Sequence, residues 1–352
     1  MKTSPKLIAV ILAEVLGFLV IALAIVAVAF NWFNINGSRF SDAVVLSTPP
    51  ATTEPTAEPV PVVIDTKEPT ATPTLEPNAT PTPEPTATPE PTPTPYGYFG
   101  DYFAGRFTDG QIIQTETTYK SKDVSVTVTK VTESRLVYYV TDVYFQRIEC
   151  FRTAYVTNDN AAEWTRTFAK EANAVVAVNG DYMTKSSDGW IVRNGIELRS
   201  PTKGFTSDLC VIYYDGTMET YDYREEIDAA AITARYPYQI FYFGPALLNA
   251  DGTARTDFPP TRFRTENPRT AIGYFEPGHY CFITVLGTRD NSDEKSDGIT
   301  LDGLAQLFAD LGCTTAYNLD GGGSCGLYYM GTLEGHNTRK TSDILYIGEV
   351  QD

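Results

Sequence analysis

The run Ala316-Tyr317-Asn318-Leu319-Asp320-Gly321-Gly322-Gly323-Ser324 holds the chain's densest set of reactive residue types. A short apolar stretch ends in a carboxylate, followed by three glycines and a hydroxyl. Consecutive glycines cost backbone entropy, and a fold gains little from them unless something must come close to the main chain. Their unshielded N–H groups can turn inward together as an anion-binding nest. Asp320 beside them can serve as base, nucleophile or metal ligand. The chemistry this pattern suggests is hydrolysis or transfer at a phosphate-bearing centre. The same residues taken alone also suit a glycine-rich hairpin turn with a capping Asp.

Elements on either side must position that loop. Upstream, Ser296-Asp297-Gly298-Ile299-Thr300 reads as a helix start, and Leu301, Leu304, Ala305, Phe308 and Leu311 recur at helical spacing. Gly312 stands where a left-handed residue would stop the helix. A second unit has the same order: residues 161–172 read as a helix, with Trp164, Phe168 and Ala172 on one face. It feeds a buried strand at 174–178 and then Asn179-Gly180-Asp181. The two units read as an internal repeat, although helix followed by strand is common enough in mixed folds to arise by chance. The repeat predicts two strands in one sheet with their C-terminal ends pointing the same way. Asn179, Asp181, Asn318 and Asp320 would then converge on one cleft, with Arg269 reaching it from its own strand. Pro268 fixes the approach to Arg269, whose planar guanidinium can grip two phosphate oxygens where Lys offers a point charge. A structural ion pair is the other reading of that arginine.

Blocks in a fixed order carry a resemblance. Val178-Asn179-Gly180-Asp181-Tyr182, Gly244-Pro245-Ala246-Leu247-Leu248, Asn267-Pro268-Arg269-Thr270-Ala271-Ile272-Gly273 and Gly287-Thr288-Arg289 precede Ser296-x-Gly298-x-Thr300-Leu301 and the Asn318 to Ser324 run. Together, over residues 119–350, they resemble the phosphodiester glycosidase family. The resemblance implies a hydrolase that breaks the sugar C1–O bond of a sugar-1-phosphodiester, such as an N-acetylglucosamine-1-phosphodiester, and releases a phosphomonoester. It implies Asp320, Asp181 and Arg269 as catalytic residues. Asn179, Gly180, Asn318, Gly321, Gly322, Gly323, Ser324 and Arg289 would bind a carbohydrate or phosphoglycan substrate. An oxocarbenium-like centre needs a nearby carboxylate, and two acids serving one anomeric carbon sit ~5 to 10 Å apart. No cofactor is expected. No metal is assigned either, since no D-x-D-x-D-G spacing is present. Ser324 or Cys325 as a nucleophile lacks an adjacent base in the sequence. A non-catalytic phosphoglycan-binding module and a transferase in exopolysaccharide assembly remain the alternative readings.

The chain has 352 residues and a formal net charge of −17, most of it carried after Pro95. Such a surface argues against nucleic acid as a partner, because phosphate backbones require clustered Lys and Arg. The five cysteines are too few and too scattered for a disulfide scaffold, and no CxxC pair suggests zinc. Only two histidines are present, which leaves little for a mechanism built on a His dyad.

The N-terminal part reads differently. Residues 1–6 are short and basic, and residues 7–30 contain only Glu14 among charged types. At ~1.5 Å per helical residue that segment crosses ~30 Å of hydrocarbon. The preceding lysines orient the start inward and the rest outward. A cleaved signal peptide is the rival reading, and the length of the apolar run favours a retained anchor. Residues 31–95 form a Pro/Thr-rich extracellular linker, extended by proline density into a semi-rigid spacer. The expectation is therefore a single-pass cell-membrane protein with its catalytic domain, 96–352, outside. That domain should be α+β, a mixed or antiparallel sheet with a few packed helices. Strands are predicted at 124–129 and 136–145 from their alternation, and Asp142 within the second reads as structural.

Overall fold

The computed structural model describes residues 97–103, 105–156, 161–184, 189–200, 204–260, 264–287, 296–334 and 338–350. The chain separates into two units, 1–86 and 87–352, and every described residue falls in the second. The expected cytoplasmic start, the apolar segment 7–30 and the Pro/Thr-rich linker 31–95 lie outside the described residues.

Alternation builds the first sheet. In β3 (Val124–Glu133) the valines 124, 126 and 128 lie on one face of the pleat and are buried, and past Val128 the strand leaves the core, so that Thr129 and Lys130 are both exposed. It pairs with β4 (Leu136–Phe145) from Val124↔Phe145 to Glu133↔Leu136. Only Ser134 and Arg135 are left to turn the chain. Ser134 has φ 53°, the left-handed geometry that a two-residue hairpin uses to match strand twist. Both predicted strands are present, the first running on to Glu133. The full order is β1 (Ile113–Gln114), β2 (Thr118–Lys120), β3, β4, β13 (His279–Val285), β12 (Arg269–Glu276) and β14 (Thr315–Asn318).

A second sheet runs β10 (Met218–Tyr221), β9 (Leu209–Tyr213), β11 (Pro237–Tyr242), β7 (Ile191–Arg193) and β8 (Ile196–Arg199). The third runs β16 (Thr332–Glu334), β15 (Leu327–Tyr329), β6 (Val176–Asn179), β17 (Asp343–Ile347) and β5 (Phe151–Tyr155). Each pairing within the three sheets is antiparallel. One apolar core joins all three, with Val126 and Phe282 from the first sheet, Cys210 and Phe241 from the second, and Val178 and Leu345 from the third.

Three short helices cover outer faces. Helix α1 (Thr165–Glu171) lays Phe168 and Ala169 against Ala177 and Ile344 of the third sheet. Helix α2 (Ala229–Ala234) places Ile232 against Leu209 and Ile240 of the second. Helix α3 (Leu301–Asp310) packs Leu301, Leu304, Ala305 and Phe308 on Ala271 and Ile283 of the first. The α3 start is capped as its sequence indicates, since the Gly303 amide donates to Thr300 Oγ1 at 3.0 Å. Gly312, at φ +80°, ends it. The single α+β domain expected from composition is this arrangement of antiparallel sheets and a few helices.

Two expectations are corrected. Helix α1 is shorter than residues 161–172, and Trp164 precedes it, 38% exposed rather than on the packed face. Glu163 bridges Thr341 in extended conformation and so holds the chain out of helix up to that point. The Lys340 ammonium covers the displaced indole, 5.9 Å from its ring centre. The internal repeat fails at the level of the sheet: β6 belongs to the third sheet and β14 to the first. A helix–strand pattern decides that a strand is buried under a helix. Which sheet takes the strand is decided by distant partners, here β15 and β17 for β6, and β12 for β14.

Candidate active site

The C-terminal ends of β6 and β14 meet even though their sheets differ. The Asp320 amide donates to Gly180 O at 3.2 Å. Asn179 Nδ2 donates to Asp320 O at 2.8 Å, and Asn179 Oδ1 accepts from Thr270 Oγ1 at 2.6 Å. One buried asparagine therefore ties together the ends of β6, β12 and β14. Asn318 is seated from the other side. Its amide donates to Pro245 O at 3.0 Å and its Nδ2 to Gly244 O at 2.9 Å. Its buried Oδ1 has no hydrogen-bond partner among the described residues. Both asparagines are almost wholly enclosed and act on protein groups.

Asp320 closes this junction. Its side chain is 6% exposed and pairs with Arg339 through Oδ2. Arg339 also donates from Nε to Ser324 Oγ at 2.9 Å and from Nη2 to Gly321 O at 3.1 Å. Its guanidinium lies over the Tyr182 ring, 5.2 Å from the centre, a distance at which cation–π attraction acts. Arg339 was missed from sequence because no motif or periodicity surrounds it. The one sign available was the third glycine of the loop. A Cβ at Gly323 would fall 2.8 Å from Thr338 Oγ1, and Gly323 O accepts the amides of both Thr338 and Arg339 at 2.8 Å.

The glycine loop is less of a nest than its composition suggests. Gly322, at φ +63°, begins a 3-10 turn, Gly322–Ser324. Its amide is spent on Pro268 O at 2.9 Å, and the Ser324 amide turns back to Gly321 O. The amides of Gly321 and Gly323 have no partner among the described residues. Ser324 itself is fully buried behind Arg339. Cys325 is buried too, with its Sγ 3.6 Å from Thr270 Oγ1.

Asp181 lies one step behind the junction. Its carboxylate is fully enclosed, pairing with Arg193 Nη2 at 2.6 Å and accepting the Tyr242 amide at 2.8 Å. Asp343 meets the same Arg193 nitrogen at 3.0 Å and accepts the Tyr182 amide at 3.1 Å. All three ionic side chains are at 0% exposure. Burial pushes the Asp343 carboxyl up to about 7, the Asp181 charge adds to that, and Arg193 opposes it. Gly180 is obligatory here, because a Cβ would enter the Asp343 carboxylate. The cluster also holds Tyr182, at φ 59°, in the left-handed conformation that sets its ring beneath Arg339.

Arg269 sits at the start of β12, 5% exposed. Its Nε donates to Ile299 O at 2.8 Å and its Nη2 to Thr265 O at 2.9 Å. Burial lowers its pKa to about 10, with Cys325 pulling the other way. Arg289 lies outside the described residues. The junction thus gathers Asp320, Asn179, Asn318 and the glycine loop, with Arg339 added and Asp181 enclosed beneath.

A fold of three antiparallel sheets around a strand-end junction with an Asn-x-Asp-Gly-Gly-Gly loop defines the class. Residues 172–348, half of the chain, match the family model described as phosphodiester glycosidase. The chain belongs to the phosphodiester glycosidase family. The matched stretch begins within the α1–β6 connection, so β1 to β5 precede it. Among curated relatives, the SPbeta prophage-derived uncharacterized protein YomE of Bacillus subtilis (strain 168) is 33% identical over 168 residues, 46% of this chain and 25% of that protein. The chain therefore spans about a quarter of that relative's length. Among solved structures, the zebrafish N-acetylglucosamine-1-phosphodiester alpha-N-acetylglucosaminidase catalytic domain, auto-inhibited by its pro-peptide, matches with a TM-score of 0.50 at 20% identity. That match covers 65% of this chain and 83% of the zebrafish chain, and it shows a shared fold. A hypothetical protein from Synechocystis matches with a TM-score of 0.47 at 14% identity, over 64% of this chain and 62% of that one.

Proposed function

We propose that the protein hydrolyses a sugar-1-phosphodiester, with Asp320 as the acting carboxylate. The observation that carries this reading is the state of Asp320. One oxygen is pinned by Arg339, and the other has no hydrogen-bond partner among the described residues. Water adds to the anomeric carbon, the C1–O bond breaks with its electron pair leaving on the phosphate, and a phosphomonoester departs. Asp320 takes the proton of that water or adds to C1 in its place. A phosphate leaves readily without protonation, so cationic and N–H stabilisation matters more than a second acid. Enclosure of Asp181 is consistent with such chemistry. It leaves Asp181 as a positioning residue that, with Arg193 and Asp343, fixes the turn bearing Gly180 and Tyr182.

The basic start, the apolar segment 7–30 and the Pro/Thr-rich linker support a single-pass anchor that holds the domain outside the cell membrane. The substrate would then be a cell-surface polysaccharide or teichoic-type polymer carrying sugar-1-phosphodiester links. Incubation with a panel of such diesters tests the reading. Free sugar and phosphomonoester in equal amounts support hydrolysis. A lengthened acceptor supports transfer, and binding without turnover supports a glycan-binding module.

A further inference from the structure

We propose that Arg339 binds the substrate phosphate through its free Nη1, an assignment that rests on the hydrolase reading of the same site. Nε and Nη2 are committed to Ser324, Asp320 and Gly321, whereas Nη1 has no partner among the described residues. The side chain is 44% exposed. Other cations at the junction are placed differently: Arg193 is sealed between Asp181 and Asp343, and Arg269 is 5% exposed with Nε and Nη2 on main-chain carbonyls. A chain of net charge −17 offers no diffuse attraction to a phosphate, so a dedicated cation is needed.

Geometry makes Arg339 that cation without dismantling the site. Its remaining bonds hold Asp320 and the loop while Nη1 offers two N–H donors. The Tyr182 ring supports the guanidinium from one side. The amides of Gly321 and Gly323 belong to the loop that Arg339 braces and are themselves without partners among the described residues. A phosphate oxygen on Nη1 thus lies one guanidinium away from the carboxylate that acts on the sugar. Binding and catalysis become linked through a single side chain.

Inorganic phosphate, titrated into the full-length chain in detergent and followed by calorimetry, tests this. The wild type should bind one phosphate saturably. Arg339→Gln should weaken binding by about tenfold or more, the loss expected for a charge-assisted hydrogen bond, and should also lower the melting temperature, since Asp320 loses its partner. In Arg339→Gly, added guanidinium ion should restore part of the affinity. Unchanged phosphate binding in Arg339→Gln, or none in the wild type, overturns the assignment. The two readings separate cleanly. Phosphate binding that depends on Arg339 without turnover of any sugar diester sinks the hydrolase and leaves the phosphate site, while turnover with phosphate binding independent of Arg339 does the reverse.

Discussion

Arg269 and Arg339 show how differently one residue type can be used within a single site. Arg269 is enclosed and bonds two main-chain carbonyls on separate segments, Ile299 and Thr265. Lysine keeps the charge but cannot span both acceptors. Arg269→Lys should therefore lower stability by ~1–3 kcal/mol, the cost of leaving a buried carbonyl unmet, as well as reduce activity. A chemical denaturation midpoint equal to that of the wild type would place the role of Arg269 in substrate contact alone. At this scale the sequence was legible where a motif surrounded the residue: Asn179, Asn318 and Asp320 do come together. It was silent on Arg339, because a cation supplied by a connection between β16 and β17 leaves no pattern in its own neighbourhood. Nor does spacing distinguish an acid at the surface of a site from one beneath it, which is why Asp181 and Asp320 looked equivalent.

Strand ends, rather than whole strands, are what the elements deliver. The helix–strand pattern marked β6 and β14 as buried strands leading to their asparagines, although β6 starts at Val176 and takes in Asn179, and it placed the start of α3 within 296–300 and its end at Gly312. Sheet membership was not legible, since antiparallel pairing joins residues far apart in the chain, such as Val178 with both Leu327 and Leu345. The turn after β6 is fixed by the Asp181–Arg193–Asp343 cluster, and that cluster has a pH signature. Asp343, raised to about 7 in the fold from an ordinary value of 3.8, holds its proton more tightly folded than unfolded. Its contribution to stability is thus fully present below the ordinary value and is lost as pH rises to about 7, remaining constant beyond. Between those limits Asp343→Asn should flatten the fall in melting temperature with pH. Parallel profiles for wild type and variant would assign the slope to other groups.

At the scale of the molecule, three sheets share one core and each carries a helix on its outer face, with α1, α2 and α3 serving the third, second and first sheets. The sequence showed a β-rich domain with a few helices because alternation and helical spacing are local signals. It could not show that the described residues form three sheets. The composition break before Tyr96 belongs to this scale as well. A chain lacking residues 1–95 should be soluble and show the circular dichroism of an antiparallel-rich fold, because the core draws on residues from Phe99 onward. Aggregation or an unfolded spectrum would mean that the preceding segment is part of the folding unit.

The Asp320 carboxylate is proposed to drive hydrolysis of a sugar-1-phosphodiester. Asp320→Asn keeps the shape of the side chain and its place at the junction while removing the charge. Product analysis on N-acetylglucosamine-1-phosphodiester substrates, run side by side on wild type and variant, is the most direct test. The wild type should release free sugar and phosphomonoester in equal amounts, and the variant should be slower by on the order of 10³ or more, with its melting temperature close to that of the wild type. Undiminished turnover in Asp320→Asn, or no turnover of any sugar-1-phosphodiester by the wild type, would contradict that role for Asp320.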